Sequence, residues 1–80
     1  MTQTEWRNIF GNNLIDILQE KGMSQSQLAR DTGLSVSRIH DYINKNATPT
    51  IYAIINIAYA LDMSVDELVD FDERIQSDMY

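Results

Sequence analysis

Residues 24–44, SQSQLARDTGLSVSRIHDYIN, decide the fold, because this stretch has the pattern of two short helices joined by a tight turn. Ser24 and Gln27, three residues apart, form a capping box that predicts a helix start. Gly33 supplies the left-handed conformation that ends a helix without a Cβ penalty, and Ser35 then caps a second helix. The apolar residues of that second helix recur at helical spacing, at Val36, Ile39 and Ile43. One of its faces is therefore predicted to be buried and the other to be free.

The free face of the second predicted helix carries polar side chains of short or medium length. They are Ser37, Arg38, His40, Asp41 and Asn44. An ordinary solvated helix would carry a mixture of long Glu and Lys side chains instead. The pattern is typical of a helix that can enter a groove. His40 is the only histidine, and a surface role is favoured for it over metal ligation by a single imidazole.

The spacing of five residues in this stretch resembles the helix-turn-helix of the Cro/CI-type (XRE-like) phage repressors, whose second helix lies in the DNA major groove. These residues are Gln25, Leu28, Ala29, Gly33 and Ile39. Further matches to the fourth and fifth helices of the family extend the resemblance to residues 10–69. They are Pro49, Thr50, Ile57, Ala58, Leu61, Ser64 and Leu68. The resemblance implies an all-α fold, a compact five-helix bundle of the lambda repressor-like type.

Sequence patterns on either side of the motif predict the remaining three helices. A first helix from about Thr4 to Lys21 follows from one apolar stripe, made of Trp6, Phe10, Leu14, Ile17 and Leu18. Thr50 is placed to cap a fourth, central helix over residues 51–61, IYAIINIAYAL. Its inward positions are predicted to be Ile51, Ile54, Ile57, Ala58 and Leu61. A second capping box, Ser64 with Glu67, opens a short fifth helix.

The chain of 80 residues has room for one domain, which we predict over residues 1–71, followed by an acidic tail at 72–80. It contains no cysteine, so disulfides and thiolate metal sites are excluded. No apolar run approaches the roughly 20 residues of a membrane span, and the N-terminus has no signal-peptide pattern. We therefore expect a cytoplasmic protein that makes no contact with a membrane.

The net charge of −6 is unevenly distributed along the chain. Residues 1–50 hold five basic and five acidic groups, whereas residues 51–80 hold one basic and seven acidic groups. Within residues 21–50 the balance is four basic to two acidic groups. The motif is mildly positive, which permits DNA binding with few phosphate contacts.

The resemblance implies a sequence-specific DNA-binding regulator from a phage, prophage or bacterium, with double-stranded operator DNA as its partner. Gln25, Asn44 and Lys45 would contact DNA phosphates. The residues that would face base edges are Ser35, Val36, Ser37, Arg38 and Asp41. A valine offers only apolar contact, for example to a thymine methyl group, and an aspartate accepts from cytosine N4 but repels phosphate. The alternative for each of these residues is an ordinary exposed helix position.

A second hypothesis, from another class of function, is an antirepressor-like module on the same fold that captures another regulator. In many relatives an Arg stands at the position of Leu18 and a Glu at that of Ile43, and the two pair; both residues are aliphatic in this chain. We expect them to contact each other in the core. Replacing a buried ion pair by an apolar pair can be neutral or stabilising, whereas loss of the Arg removes a phosphate contact.

Three residues on the outer face of the fourth helix, Tyr52, Ile55 and Tyr59, form a candidate protein interface. A second copy of the chain or a heterologous repressor protein would bind there. The alternative is that Phe71 and the C-terminal tail cover this face.

Catalysis is the least supported class of function. The sequence has no glycine-rich phosphate loop, no cluster of metal ligands and no acid and base at a catalytic spacing. We therefore expect no enzyme, no metal, no cofactor and no small-molecule ligand.

Overall fold

A computed structural model describes residues 1–70 of the chain. These residues form five helices, which confirms the predicted all-α, five-helix fold. The helices are α1 (Gln3–Lys21), α2 (Gln25–Thr32), α3 (Val36–Ile43), α4 (Ile51–Ala60) and α5 (Val65–Leu68). Phe71 and the predicted acidic tail lie outside the described residues, so the domain boundary stays a prediction. No helix within residues 1–70 has the length and apolar character needed to cross a membrane.

Every helix begins at a hydroxyl side chain that accepts the backbone N–H of the residue three positions later. The capping residues are Thr2, Ser24, Ser35, Thr50 and Ser64. The last four were predicted as caps and are confirmed, but of the capping box predicted at Ser64 and Glu67 only the half made by the hydroxyl is present. This arrangement satisfies one of the N–H groups that an α-helix leaves without an internal partner.

The complete capping box lies at α1 and was not predicted. Thr2 accepts from the backbone N–H of Glu5, and the Glu5 carboxylate accepts from the backbone N–H of Thr2, both at 3.1 Å. The hydrogen bond from that backbone N–H lowers the pKa of Glu5 below its ordinary value. The reciprocal half of the box predicted at Ser24 is wrong, because the amide of Gln27 donates to Asp31 at 2.9 Å and accepts from Arg30 at 2.7 Å instead.

The core lies between all five helices. α1 packs against α3 and α5, α2 packs against α3 and α4, and α4 packs against α5. The buried apolar side chains are Phe10, Leu14, Ile17, Leu18, Leu28, Ala29, Ile39, Tyr42, Ile43, Ala53, Ile54, Ile57, Ala58, Leu61 and Leu68. The predicted stripe of α1 is confirmed, with Trp6 half-buried at the end of the core beside Phe10.

Two residues predicted on buried faces are exposed. Val36 is 48% exposed and Ile51 is 72% exposed. Each is the first residue of its helix and lies well away from the centre of the buried face, so no neighbouring turn covers it. Tyr42 takes the buried place on α3, where its ring meets the edge of Phe10 at a centroid distance of 5.8 Å, and Ala53 takes it on α4.

Gly11 allows the backbones of α1 and α3 to come close together. A Cβ at this position would lie 2.8 Å from the carbonyl oxygen of Tyr42 and 3.0 Å from that of Ile43. These distances are shorter than ordinary van der Waals contact. Only glycine therefore permits the observed separation of the two helices, which sets the position of α3 on the core.

Candidate nucleic-acid interface

The turn between α2 and α3 is held by a buried threonine. The hydroxyl of Thr32 donates to the carbonyl of Leu28 at 2.8 Å and accepts the backbone N–H of Leu34 at 3.2 Å. Gly33 follows with φ of 75°, in the left-handed region that was predicted for it. The hydroxyl of Thr32 thus bonds to both sides of the turn, which helps to fix the angle at which α3 leaves α2.

A side chain of α4 holds the same turn from outside the motif. The amide of Asn56 donates to the backbone carbonyl of Thr32 at 2.7 Å, and so caps the C-terminal end of α2. This residue was not predicted from the sequence. The signal that marks it is a single carboxamide in a helix otherwise made of alanine, isoleucine and tyrosine.

The free face of α3 is exposed, as predicted. Ser35, Ser37, Arg38 and Asp41 line one open groove of about 330 Å³ together with residues of the α3–α4 loop. Four of the five predicted base-facing residues are thereby brought together. Val36, the fifth, is exposed at the start of α3 and does not line this groove.

The loop that forms the other wall of this groove is anchored to α1. The Nε of Arg7 donates to the hydroxyl of Thr48 at 2.7 Å, and its guanidinium also donates to Gln3 at 3.4 Å. This contact was not predicted, since its two partners are 41 residues apart. Arg7 therefore holds the α3–α4 loop in place beside the exposed face of α3.

Tyr42 also lines the groove, and its ring is part of the core. Burial raises the pKa of its hydroxyl, an effect that Arg38 opposes and Asp41 reinforces. The hydroxyl is therefore uncharged at neutral pH and adds no negative charge to the groove.

The three predicted phosphate contacts lie at separate points of the motif. Gln25 is the first residue of α2 and borders a second, more apolar groove of about 350 Å³, to which Leu18 and Ile43 also contribute. Asn44 follows the last residue of α3, with its amide nitrogen 2.7 Å from Nε2 of His40. Lys45 comes next and has φ of 66°. Gln25 thus stands at one end of the two-helix motif, while Asn44 and Lys45 stand at the other.

Lys45 is unusual because a residue with a Cβ occupies a left-handed position. Its backbone N–H donates to the carbonyl of Tyr42 at 3.2 Å, and that of Asn46 donates to the carbonyl of Asp41 at 2.8 Å. This pair of bonds is the Schellman motif, in which glycine is usual. Asp62 takes the same place after α4, with φ of 53°.

The three candidate interface residues of α4 are exposed, as predicted: Tyr52 by 67%, Ile55 by 54% and Tyr59 by 87%. Ile51, which was predicted to be buried, joins them on the outer face.

Comparison of the chain with known proteins also identifies a helix-turn-helix domain. Residues 13–74 match the model of the Cro/C1-type HTH DNA-binding domain family. The restriction-modification controller protein C.AhdI from Aeromonas hydrophila is 31% identical, with a TM-score of 0.75 over 78% of this chain and 94% of that chain. No curated protein matches the sequence.

Two further solved structures share the fold. An HTH_3 family transcriptional regulator from Vibrio cholerae is 23% identical, with a TM-score of 0.85 over 96% of this chain and 43% of that chain. This chain therefore spans less than half the length of that regulator. The hypothetical transcription factor NHTF from Neisseria is 21% identical, with a TM-score of 0.80 over 100% of this chain and 91% of that chain.

The family match covers most of the chain, and the helix-turn-helix at α2 and α3 lies within it. The chain belongs to the Cro/C1-type helix-turn-helix DNA-binding domain family, and its comparisons support the function of a DNA-binding regulator.

Proposed function

We propose that the protein is a sequence-specific transcriptional regulator that places α3 in the major groove of an operator in cytoplasmic DNA. The observation that carries this proposal is the exposed polar face of α3, where Ser37, Arg38 and Asp41 line one groove, on a helix whose preceding turn is held by the hydroxyl of Thr32. Short side chains on a rigidly held helix can approach base edges without a large loss of side-chain entropy.

The proposed roles follow from position and chemistry. Ser35, Ser37 and Asp41 offer hydroxyl and carboxylate groups to base edges, and Val36 offers an apolar contact. Arg38 reaches either a guanine edge or a phosphate. Phosphates are bound by Gln25 at the start of α2, and by Asn44 and Lys45 at the end of α3.

The test is titration of the full chain into non-specific and selected operator duplexes at low salt. We expect submicromolar binding, with the logarithm of the affinity falling against the logarithm of salt concentration with a slope of roughly −3 per subunit, because 3 or 4 phosphates are neutralised. A slope near −8 per subunit would contradict the charge distribution described above.

Base readers and phosphate contacts are expected to respond differently to substitution. Ser37→Ala and Asp41→Ala should change which base is preferred, whereas Gln25→Ala should weaken binding to all sequences alike. Asp66→Ala is the matched control for Asp41→Ala, because it removes one carboxylate from α5, which lies outside the motif. Base preferences are measured by selection from a randomised duplex. An unchanged preference in both α3 variants would remove them from the set of base-reading residues.

Lys45→Gly is expected to raise the stability of the protein and to weaken its binding to DNA. Relief of the left-handed strain should raise the free energy of unfolding by about 0.5–1 kcal/mol after the entropy cost of glycine. The loss of a basic side chain should weaken binding to every duplex and reduce the magnitude of the salt slope by about 1. Both quantities are measured by denaturant unfolding and duplex titration.

Asp62→Gly is the matched control, because it relieves the same conformation after α4. It should raise stability without weakening DNA binding. Equal DNA affinity for the wild type and Lys45→Gly would exclude a phosphate contact at Lys45.

The second candidate function is capture of another regulator on the same fold. It is favoured by the aliphatic pair Leu18 and Ile43, both 5% exposed, which stabilises the core without providing a charge for DNA. Complete absence of binding to any duplex at low salt would support this candidate over the first.

A further inference from the structure

His40 and Asn44 lie one turn apart at the C-terminal end of α3, and a hydrogen bond joins their side chains. Both side chains are exposed. The amide nitrogen of Asn44 is 2.7 Å from Nε2 of His40. An amide nitrogen only donates, so Nε2 accepts, and the uncharged imidazole therefore carries its proton on Nδ1.

This hydrogen bond occupies a donor of one of the proposed phosphate contacts. The side-chain amide of Asn44 has two hydrogens, and the uncharged imidazole takes one of them. Only the second hydrogen is then left for a phosphate oxygen. His40 thus determines which way the amide of Asn44 faces and how many donors it offers to DNA.

Protonation of His40 reverses the direction of the hydrogen bond. Both ring nitrogens donate in the imidazolium, so Nε2–H no longer accepts from the amide nitrogen. The amide of Asn44 must turn over, so that Oδ1 accepts from Nε2–H and both amide hydrogens become available to a phosphate. Histidine is the side chain whose charge ordinarily changes between pH 5 and 8.

The charge of the imidazolium would act on the same phosphate. Two hydrogen bonds of about 3 Å and the width of the amide group separate Nε2 from a phosphate oxygen bound by Asn44, which amounts to about 8 Å at most. This distance is shorter than the Debye length of about 10 Å at 0.1 M salt. The reversed amide and the new positive charge therefore both favour DNA binding at low pH.

Other charged groups near His40 lie on three helices and in the loop after α3. Arg38 and Asp41 of α3 line the groove of about 330 Å³, to which His40 does not contribute, and Lys45 follows Asn44. The helices that pack against α3 are α1 and α2, whose charged residues are Glu5, Arg7, Asp16, Glu20, Lys21, Arg30 and Asp31. Within residues 1–70, no charged side chain lines the groove of about 350 Å³ beside Ile43.

We propose that His40 is a positioning residue for the phosphate contact of Asn44, and that protonation of His40 strengthens the binding of the protein to DNA. The proposal rests on the proposed function and adds a dependence on pH to it. The gain in affinity should be present below the pH at which the imidazole loses its proton and should disappear as the pH rises through it.

The test is titration of the full chain into a non-specific duplex at about pH 8 and about pH 5.5. A non-specific duplex suffices because phosphate contacts do not depend on the sequence. Carboxylates, with ordinary pKa values near 4, stay mostly ionised at both pH values. The affinity should be about threefold to fivefold higher at the lower pH, and the magnitude of the salt slope should be greater by up to about 1.

Two variants separate the imidazole from the amide. His40→Gln keeps a side chain that can hydrogen-bond to Asn44 at i+4 but has no charge at any pH, so it should bind with one affinity at both pH values. Asn44→Ala keeps the charge of His40 and loses the amide, so its affinity should change less with pH than that of the wild type. Asn46→Ala is the matched control, because it removes an exposed amide two residues further on and should keep the full pH dependence.

The hydrogen bond itself is tested in the free protein by ¹⁵N NMR, since His40 is the only histidine of the chain. At pH 8 the wild type should show the Nδ1–H form, and Asn44→Ala should lose this preference. Predominance of the Nε2–H form in the wild type would overturn the proposal, because Nε2 could not then accept from Asn44.

The binding experiment also contains outcomes that overturn the proposal. Equal affinities of the wild type at both pH values would do so and would leave the proposed function intact. A full pH dependence in Asn44→Ala would show that His40 acts through its charge alone and does not position Asn44. Absence of binding to the duplex at both pH values would overturn the proposed function and this proposal together.

Discussion

Leu18→Arg is expected to lower the free energy of unfolding by about 3 kcal/mol or more, because it places an unpaired charge at a buried position of the core. Leu18 is 5% exposed and borders the same groove as Ile43, which offers no carboxylate to meet the guanidinium. The measurement is denaturant unfolding followed by circular dichroism. Loss of this packing would also loosen α3, since α1 is one of the helices that hold it.

Two further variants test the cause of this loss. Leu18→Met conserves volume and apolar character, so it should cost less than about 1.5 kcal/mol. Leu18→Arg combined with Ile43→Glu should recover part of the stability through a new ion pair. An unchanged melting curve for Leu18→Arg would show that the guanidinium reaches water through the groove of about 350 Å³ that both residues line.

Gly11→Ala is expected to destabilise the protein by about 1–3 kcal/mol through overpacking, although alanine is intrinsically the better helix former by up to about 1 kcal/mol. The new methyl group would lie 2.8 Å from the carbonyl oxygen of Tyr42, and a backbone atom cannot move aside as the end of a side chain can. The helices α1 and α3 must separate, so the affinity for operator DNA should fall together with stability.

Asn12→Ala is the matched control for the glycine variant. Asn12 is the next residue of α1 and is exposed, so alanine should be neutral or slightly stabilising there. Equal stability of Gly11→Ala and the wild type would show that the two helices separate at no cost.

The architecture could be predicted from the sequence because its signals are local. The hydroxyl caps act on N–H groups three residues away, and the apolar stripe of α1 repeats with the helical period. The predictions of burial were wrong at two positions where they rested on the helical period alone. Val36 and Ile51 have the right spacing but stand at helix starts, where tertiary packing determines exposure.

The residues that sequence reasoning missed act over long separations. Asn13 donates to the carbonyls of Leu68 and Asp70, which are 55 and 57 residues away, and Asn56 reaches Thr32 across 24 residues. A polar side chain in a helix gives no indication of such a partner until the fold is known. Gly11 is similar, because a glycine inside a helix looks unfavourable until the neighbouring backbone is in place.

The candidate site was predicted as a surface and not as a set of contacts. Ser37 and Arg38 are exposed because Ile39 is buried. At 3.6 residues per turn, the two residues before Ile39 point to other sides of the helix. The base that each side chain reads depends on the DNA, so the individual roles stay predictions.

The hydrogen bond from Asn56 to Thr32 connects the DNA-reading surface to a helix that lies outside the motif. Asn56 belongs to α4, and it holds the end of the helix that precedes α3. A displacement of α4 would therefore also move the exposed face of α3.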